Sequence, residues 1–143
     1  MSATAADADG QRSLAEKLGF ASDEVVLELG YDDDCDEGLR AAIEVVIGSS
    51  MLDEDNDEIV DTVVLWWRED DGDLVDALVD ALSSLGSGGV IWLLTPKAGR
   101  DGHIEPSDIG EAAPTAGLSA TKSTSAAADW SGTRLVAPKV TRR

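Results

Sequence analysis

The sequence LVDALVDALSSLGSGGVIWLLTPK, residues 74–97, is the strongest indication of the fold class. Its apolar residues first recur every three or four positions, which is the period of one helix face. A segment of Gly and Ser interrupts this pattern at residues 86–89. The uninterrupted apolar run at residues 90–94 then predicts a strand that helices bury on both faces, as in a parallel sheet. The stretch therefore predicts an α/β fold.

Weaker patterns on both sides extend this arrangement. Residues 13–20 and 38–47 predict helices, and residues 24–29 and 58–68 predict strands. Beyond the central strand, Pro106 begins a predicted helix of about two turns, which Pro114 interrupts. Residues 118–125 and 133–137 predict an antiparallel edge hairpin because they are rich in Ser, Thr and Val.

This order of elements predicts a single three-layer Rossmann-like α/β domain over residues 11–138. Its sheet is expected to be mostly parallel, with the hairpin as an antiparallel edge. Residues 1–10 are expected to form a flexible acidic tail and residues 139–143 a basic tail. Ligands of such sheets usually bind beyond the carboxyl ends of the strands, so the loops that follow the predicted strands are the candidate sites.

Charge is the strongest compositional signal. The chain of 143 residues contains 29 Asp and Glu against 11 Lys and Arg, a net charge of −18. A field of this sign repels phosphate backbones, so we expect no direct nucleic-acid binding. The same field attracts the basic surface of another protein, which we expect as the partner. A solvated acidic surface without a dedicated partner is the alternative.

Two further features concern the location of the protein. No apolar run approaches the roughly 18 residues of a membrane span, so we expect no membrane association. Cys35 is the only cysteine, which excludes an intrachain disulfide and is typical of a reducing compartment. We therefore expect a cytoplasmic protein.

The acidic loop, YDDDCDEG at residues 31–38, is the main candidate binding site. Its candidate partner-binding residues are Asp32, Asp33, Asp34, Asp36 and Glu37. Dense carboxylates also suit Ca²⁺ or Mg²⁺. In the spacing of a calcium-binding loop, however, Gly38 stands one position late and Ile43 replaces a bidentate Glu, so we expect no metal. Asp36 is alternatively a helix cap, and the negative neighbours are expected to raise the pKa of Cys35.

A second group of candidate residues follows the central strand. Lys97, Arg100 and His103 form a candidate anion or ligand site together with the helix that begins at Pro106. The alternative is that Lys97 and Arg100 neutralise neighbouring acidic residues.

The tryptophans are the third group of candidate residues. Trp66 and Trp67 are adjacent in a strand, so their side chains are expected to face opposite ways. Trp92 is expected to be part of the core. Trp130, in the loop before the last strand, is a candidate exposed aromatic anchor for a partner; packing against the sheet edge is the alternative.

Three segments of the chain resemble a known family. LAEKLGF…EVVLELGY, DLVDALVDAL…GGVIWLLTPK and EPSDIGEAAPTAGL…DWSGTRLVAPK are similar to the family catalogued as domain of unknown function 3052, which is typical of actinobacteria. The resemblance covers about residues 12–139. It implies a fold and a bacterial cytoplasmic setting but no chemistry.

A wider resemblance is to the Rossmann-like methyltransferases. Residues 26–30, VLELG, look like the start of the loop that holds S-adenosylmethionine in those enzymes. The next positions, where that family has further small glycines, are occupied by Tyr31, Asp32, Asp33 and Asp34, and their bulk and charge would obstruct the ligand. The resemblance therefore implies a relative that binds no cofactor.

These observations favour a small non-catalytic regulatory or protein-interaction module, with no catalytic residues and no cofactor. The alternative is a ligand-binding or enzymatic Rossmann-like domain, a degenerate relative of the methyltransferases, that uses the cleft at the carboxyl ends of the strands. A homodimer formed through the edge hairpin is a third hypothesis.

Overall fold

The fold is known from a computed structural model that describes residues 15–138. The predicted acidic tail, residues 1–10, and the predicted basic tail, residues 139–143, lie outside the described residues. Its strands are β1 (Val26–Leu29), β2 (Val60–Trp66), β3 (Leu85–Pro96), β4 (Ser119–Ser125) and β5 (Trp130–Val136). Its main helices are α1 (Glu37–Ile47), α2 (Leu74–Leu82) and α3 (Pro106–Thr115), and a 3-10 turn lies at Glu69–Asp71. None of the helices within residues 15–138 has the length and apolar character that a membrane crossing requires.

The five strands form one mixed sheet in the order β1-β2-β3-β5-β4. β1 pairs with β2 and β2 with β3 in parallel, whereas β3 pairs with β5 and β5 with β4 antiparallel. The predicted edge hairpin is confirmed, but the prediction of a mostly parallel sheet is wrong. The physical reason is that β5 lies between β3 and β4, so the hairpin contributes two antiparallel pairings instead of one.

β3 is longer than the sequence predicts, because the Gly-Ser segment at residues 86–89 belongs to the strand. Leu85 already pairs with Val60, and the register then shifts before Thr62 pairs with Val90. A Cβ atom on Gly89 would lie 3.1 Å from the carbonyl oxygen of Asp61. The glycine thus permits a close backbone approach at an irregular point of the strand.

Adjacent residues of β2 belong to two different cores. Val63 lies in a core with Leu78 of α2 and Ile109 of α3. Val64 lies in a core with Ile43 of α1. Successive side chains of a strand point to opposite faces, so α1 and the α2–α3 pair pack against different sides of β2.

Local sequence signals explain where α1 begins and ends. Asp36 is the N-cap, and its side chain accepts a hydrogen bond from the Leu39 backbone N–H at 2.8 Å. Gly48 ends the helix with a φ of +83°. The predicted capping role of Asp36 is confirmed.

α3 differs from the prediction in one respect. The helix includes Pro114 and continues to Thr115. Pro114 lies in the last turn and lacks a backbone N–H, so the helix loses one backbone hydrogen bond there. Because only Thr115 follows it in the helix, this loss does not interrupt the helix.

Candidate functional site

The carboxyl ends of β1 and β2 meet at Gly30. Its φ is +78°, and a Cβ atom there would lie only 2.2 Å from the carbonyl oxygen of Trp66. The close approach of two strand backbones therefore requires glycine at this position. The VLELG sequence has a structural explanation that involves no ligand.

Arg68, at the end of β2, lies across this junction. Its Nη1 donates to the carbonyl oxygen of Gly30 at 2.8 Å, and its Nε donates to the Asp34 carboxylate at 3.1 Å. Nη1 is also 3.3 Å from the Asp71 carboxylate. Only 13% of the Arg68 side chain is exposed. Arg68 thus joins the end of β1, the acidic loop and the turn after β2. We call the space that it occupies, between Gly30 and the acidic loop, the strand-end crevice.

Trp130 lies beside Arg68 in the strand-end crevice. Its Nε1 donates to the backbone carbonyl oxygen of Asp34 at 3.1 Å, and its ring packs edge to face on Trp66 at 4.9 Å. The Arg68 guanidinium lies 5.2 Å from the ring centroid of Trp130. Trp130 is 3% exposed, so the prediction of an exposed aromatic anchor is wrong. The reason is that Trp130 is the first residue of β5 and pairs with Pro96 of β3.

The other tryptophans lie as predicted. Trp66 is fully buried in the core that contains α1, whereas Trp67 packs against the core that contains α2 and α3. The opposite orientations of these two side chains are confirmed. Trp92 is 2% exposed, and its place in the core is also confirmed.

A second polar cluster centres on Glu28 in β1, a residue that the sequence analysis missed. Its carboxylate accepts hydrogen bonds from Arg40 Nε at 2.6 Å, Arg40 Nη2 at 2.8 Å and Trp66 Nε1 at 2.9 Å. Arg40 also binds Glu37 and stacks on the ring of Tyr31 at 4.1 Å. The hydrogen bonds that Arg40 donates to Glu28 raise the pKa of Arg40 above its ordinary value. One acidic residue in the otherwise apolar strand VLEL was the signal for this cluster.

The structure divides the acidic loop into two groups. Asp34 binds Arg68, which lowers the pKa of Asp34; Asp36 caps α1, and Glu37 binds Arg40. Asp32 and Asp33 are exposed, and within residues 15–138 neither forms an ion pair with a cationic side chain. Three of the five predicted partner-binding residues therefore have partners within the protein.

Cys35 lies inside this network instead of facing solvent. Its Sγ accepts hydrogen bonds from the Asp32 N–H and from Arg68 Nη2, each at 3.3 Å. Burial raises the pKa of Cys35 to about 11. The predicted direction is correct, but burial and not the neighbouring carboxylates is the main cause. Cys35 is therefore protonated, and a poor nucleophile, at neutral pH.

Lys97, Arg100 and His103 have different surroundings. Arg100 pairs with Asp129 at 3.2 Å, and both side chains are about half exposed. The His103 Nδ1 is 2.9 Å from the carbonyl oxygen of Pro96, and its Nε2 is 3.4 Å from the Glu105 carboxylate. For Lys97, no ion pair is present in the part of the chain that the structure describes. The pairing of Arg100 agrees with the alternative that basic residues here neutralise acidic ones.

Clusters of side chains that could bind a metal ion are also absent from the described chain. Within residues 15–138, no three His, Cys, Asp or Glu side chains are arranged to hold a metal ion.

A cavity of about 290 Å³ opens beside the strand-end crevice. Glu28, Gly30, Tyr31 and Arg40 line one side of this cavity, and residues 53–55 line the other. The space lies beyond the carboxyl end of β1, where sheets of this kind usually bind ligands.

Sequence comparison assigns the chain to a family. Residues 15–139 match the family described as "Protein of unknown function (DUF3052)". The chain belongs to this family. Its relatives include the uncharacterized protein Rv2239c of Mycobacterium tuberculosis and the uncharacterized protein Mb2263c of Mycobacterium bovis. Each is 52% identical to this chain over 136 residues, which are 95% of this chain and 85% of the relative.

Solved structures with a similar fold include several methyltransferases. The O-methyltransferase NcsB1 from neocarzinostatin biosynthesis, solved with S-adenosyl-L-homocysteine, has a TM-score of 0.64 at 16% identity, over 87% of this chain and 52% of that one. The pyocyanin biosynthetic protein PhzM gives 0.64 at 10% identity, over 89% and 54%. A SAM-dependent methyltransferase from Aquifex aeolicus gives 0.56 at 12% identity, over 88% of each chain. This DUF3052 protein therefore has a Rossmann-like fold, and it spans about half the length of the first two structures.

Proposed function

We propose that this DUF3052 protein is a non-catalytic protein-interaction module, built as a three-layer Rossmann-like domain. The observation that carries the proposal is Arg68. Ligands of Rossmann-like sheets usually bind beyond the carboxyl ends of the strands. Here Arg68 binds Gly30 and Asp34 across that position, and Trp130 packs beside it. The strand-end crevice is thus filled by side chains of the protein itself. The three layers are supported by two separate cores, one containing α1 and the other α2 and α3.

The surface charge supports a basic protein as the partner. Residues 53–58, DEDNDE, which we call the second acidic segment, contain five exposed carboxylates. Within residues 15–138, no ion pair joins any of them to a cationic side chain. Unpaired exposed carboxylates attract a basic surface and raise the association rate with it.

The second acidic segment has a defined anchor and local order. Leu52, directly before it, forms a parallel bridge with Leu27 of β1, and the Leu52 N–H donates to Val26 at 2.8 Å. Asp53 accepts a hydrogen bond from the Asp55 N–H at 3.0 Å. The carboxylates are therefore presented from a fixed point beside the sheet, and residues 53–55 line the same cavity as Tyr31, which directly precedes exposed Asp32 and Asp33.

A capture experiment with charge-reversal variants tests this proposal. Tagged protein is incubated with native cell lysate over a range of salt, and the bound proteins are identified by mass spectrometry. We expect one basic partner that is lost as salt rises, since salt screens exposed charges. The triple variant Asp53→Lys, Asp55→Lys, Asp57→Lys is expected to lose that partner, and the double variant Asp32→Lys, Asp33→Lys to bind it less.

The matched control reverses exposed charges elsewhere. Asp70→Lys, Asp76→Lys and Asp80→Lys change the net charge as much as the triple variant does, and these residues lie on and before α2. We expect this control to retain the partner. Equal loss in the control and in the triple variant would show that only net charge matters. Retention of the partner by every variant would contradict the proposal.

The second candidate function is ligand binding at the carboxyl ends of the strands. The fold of the methyltransferases and the cavity of about 290 Å³ beside the strand-end crevice support it. Calorimetric titration with S-adenosylmethionine and with common nucleotides tests this hypothesis. Binding heat that disappears in the Asp53→Ala variant would favour it over the first proposal, and the absence of heat at millimolar ligand would remove it.

A further inference from the structure

A second cavity, of about 370 Å³, lies near the carboxyl end of β3, beside the hairpin of β4 and β5. The start of α3 forms one wall, and strands β3, β5 and β4 form the other. We call it the hydroxyl cavity. Its polar lining consists of His103 and of Thr95, Ser123, Thr124, Ser131 and Thr133 on the strands. Among the described residues that line the cavity, none is Asp, Glu, Lys or Arg, in a chain with a net charge of −18.

Hydroxyl groups from three neighbouring strands lie on the sheet wall of the hydroxyl cavity. Thr95 of β3 pairs with Ser131 of β5, and Thr133 of β5 pairs with Ser123 of β4. Alternate residues of a strand point to the same face, so Ser131 and Thr133 face the same side of the sheet. That side also carries Leu135, which belongs to the core containing α2 and α3. The pairing register therefore gathers four hydroxyls under the first half of α3.

Two of these hydroxyls have no partner although their residues are buried. Thr95 is 3% exposed and Thr133 is 7% exposed. Across residues 15–138, neither side chain forms a hydrogen bond. Every fully enclosed side-chain nitrogen or oxygen atom of the described residues does form one, so the hydroxyl oxygens of Thr95 and Thr133 are not fully enclosed. Their remaining exposure is therefore at the hydroxyl cavity, since both residues line it. Both hydroxyls are therefore available to donate to, or accept from, a group that enters the hydroxyl cavity.

The helix wall of the hydroxyl cavity is apolar and contains an unusual glycine. Ile104 and Ile109 are buried, and Pro106 begins the helix beside them. Gly110 lies inside α3, where glycine is less favourable than alanine. Apart from its chain neighbours and the backbone of its own helix, no described atom lies within 4 Å of a Cβ atom built on Gly110. Packing does not require glycine there, but a larger side chain would narrow the space over the cavity.

We propose that the hydroxyl cavity binds a small uncharged ring compound that carries hydrogen-bonding groups along one edge, such as an aromatic amide or a phenol. The volume falls within the range of small-molecule sites in proteins. One wall offers apolar contact to a ring, and the other offers hydroxyl donors and acceptors. No Lys or Arg among the described lining residues compensates an anionic ligand, and the acidic protein repels one. The site is separate from the strand-end crevice and from both acidic segments, so it is independent of the proposed function.

Titration of the full ¹⁵N-labelled chain, followed by NMR, tests this site. The probes are benzamide, phenol and nicotinamide, with benzoate as the charged counterpart of benzamide. We expect at least one neutral probe to shift the backbone amide signals of Thr95, Gly110 and Thr133 with saturation in the millimolar range. Benzoate is expected to bind at least tenfold more weakly than benzamide. No saturable shift from any neutral probe, or equal binding of benzoate, would overturn the proposal.

Three variants locate the binding. Gly110→Leu is expected to fill the hydroxyl cavity and weaken probe binding at least tenfold. Thr133→Val keeps the side-chain volume but removes a hydroxyl, and a several-fold loss is expected. Thr121→Val is the control, because Thr121 lies on β4 but does not line the cavity. Thermal unfolding verifies that each variant folds. Unchanged probe binding in folded Gly110→Leu protein would place the probe elsewhere and refute the assignment.

Discussion

Two regions at the carboxyl edge of one sheet differ in whether their polar groups are hydrogen-bonded within the protein. In the strand-end crevice, Arg68 and Trp130 satisfy the carbonyl groups and carboxylates around them, and charged side chains fill the space. In the hydroxyl cavity, Thr95 and Thr133 have no partner within the described chain, and the space is open and uncharged. The position of a loop in the fold therefore does not by itself identify a ligand site. The state of the polar groups around the space does.

The largest expected effect concerns Gly30, which allows β1 and β2 to meet. Gly30→Ala places a Cβ atom 2.2 Å from a backbone oxygen that cannot move freely. The left-handed backbone conformation and the overlap together should lower the free energy of unfolding by about 3–5 kcal/mol. Urea denaturation followed by tryptophan fluorescence measures this change.

Gly48→Ala is the matched control for that prediction. Gly48 has a similar φ of +83°, but no described atom lies within 4 Å of a Cβ atom there. Its substitution should cost only the backbone conformation, about 1–2 kcal/mol. Equal effects of the two substitutions would show that the backbones of β1 and β2 do not approach each other closely at Gly30 and Trp66.

Arg68 gives the second largest expected effect. Arg68→Met keeps much of the apolar stem but leaves the Gly30 carbonyl oxygen and the Asp34 carboxylate without their donor. We expect a loss of about 2–3 kcal/mol in the free energy of unfolding, because the mostly buried Arg68 side chain loses its charge-assisted hydrogen bonds to two partly solvated acceptors. Arg100→Met, which breaks an exposed pair with Asp129, should cost less than about 1 kcal/mol. Similar losses in both variants would mean that Arg68 contributes no more to stability than an arginine in a surface ion pair does.

Cys35 links the strand-end crevice to a pH dependence of stability. Burial raises the pKa of Cys35 from 9.0 to about 11 in the folded protein. The contribution of the thiol to stability is therefore full below pH 9 and is lost as pH rises toward 11. Between these values the wild-type protein should lose about 2 kcal/mol more than Cys35→Ala. Urea unfolding of both proteins from pH 8 to 11 gives the difference, and parallel curves would show that the thiol is not desolvated.

Features of the fold and of the candidate site could be predicted from the sequence when they depend on residues that are close together in the chain. Helix periodicity, the capping role of Asp36 and the opposite orientations of Trp66 and Trp67 are local properties, and all three are confirmed. The burial of Trp130 depends on Asp34, which lies 96 residues earlier in the chain. The place of Arg68 likewise depends on Gly30, 38 residues away. No local pattern encodes such pairs.

The hydroxyl cavity was beyond sequence reasoning for the same reason. It requires β5 to lie between β3 and β4, an order that differs from the order along the chain. Thr95 and Thr133 are ordinary strand residues by themselves, and only the register brings their hydroxyls under one helix. The mixed topology of the sheet and the cavity are thus consequences of one event, the insertion of β5.

The smallest expected effect tests the hydroxyl cavity from the side of stability. Gly110→Ala adds a methyl group where no described atom lies within 4 Å, in a helix interior that favours alanine. The substitution should therefore stabilise the protein by up to about 1 kcal/mol and raise the melting temperature by roughly 2–4 °C. A lower melting temperature would show that the wall of the cavity is already packed, and the space would be too small for a ring. A higher one would mean that the natural sequence forgoes stability at the one helix position where glycine keeps this cavity wide.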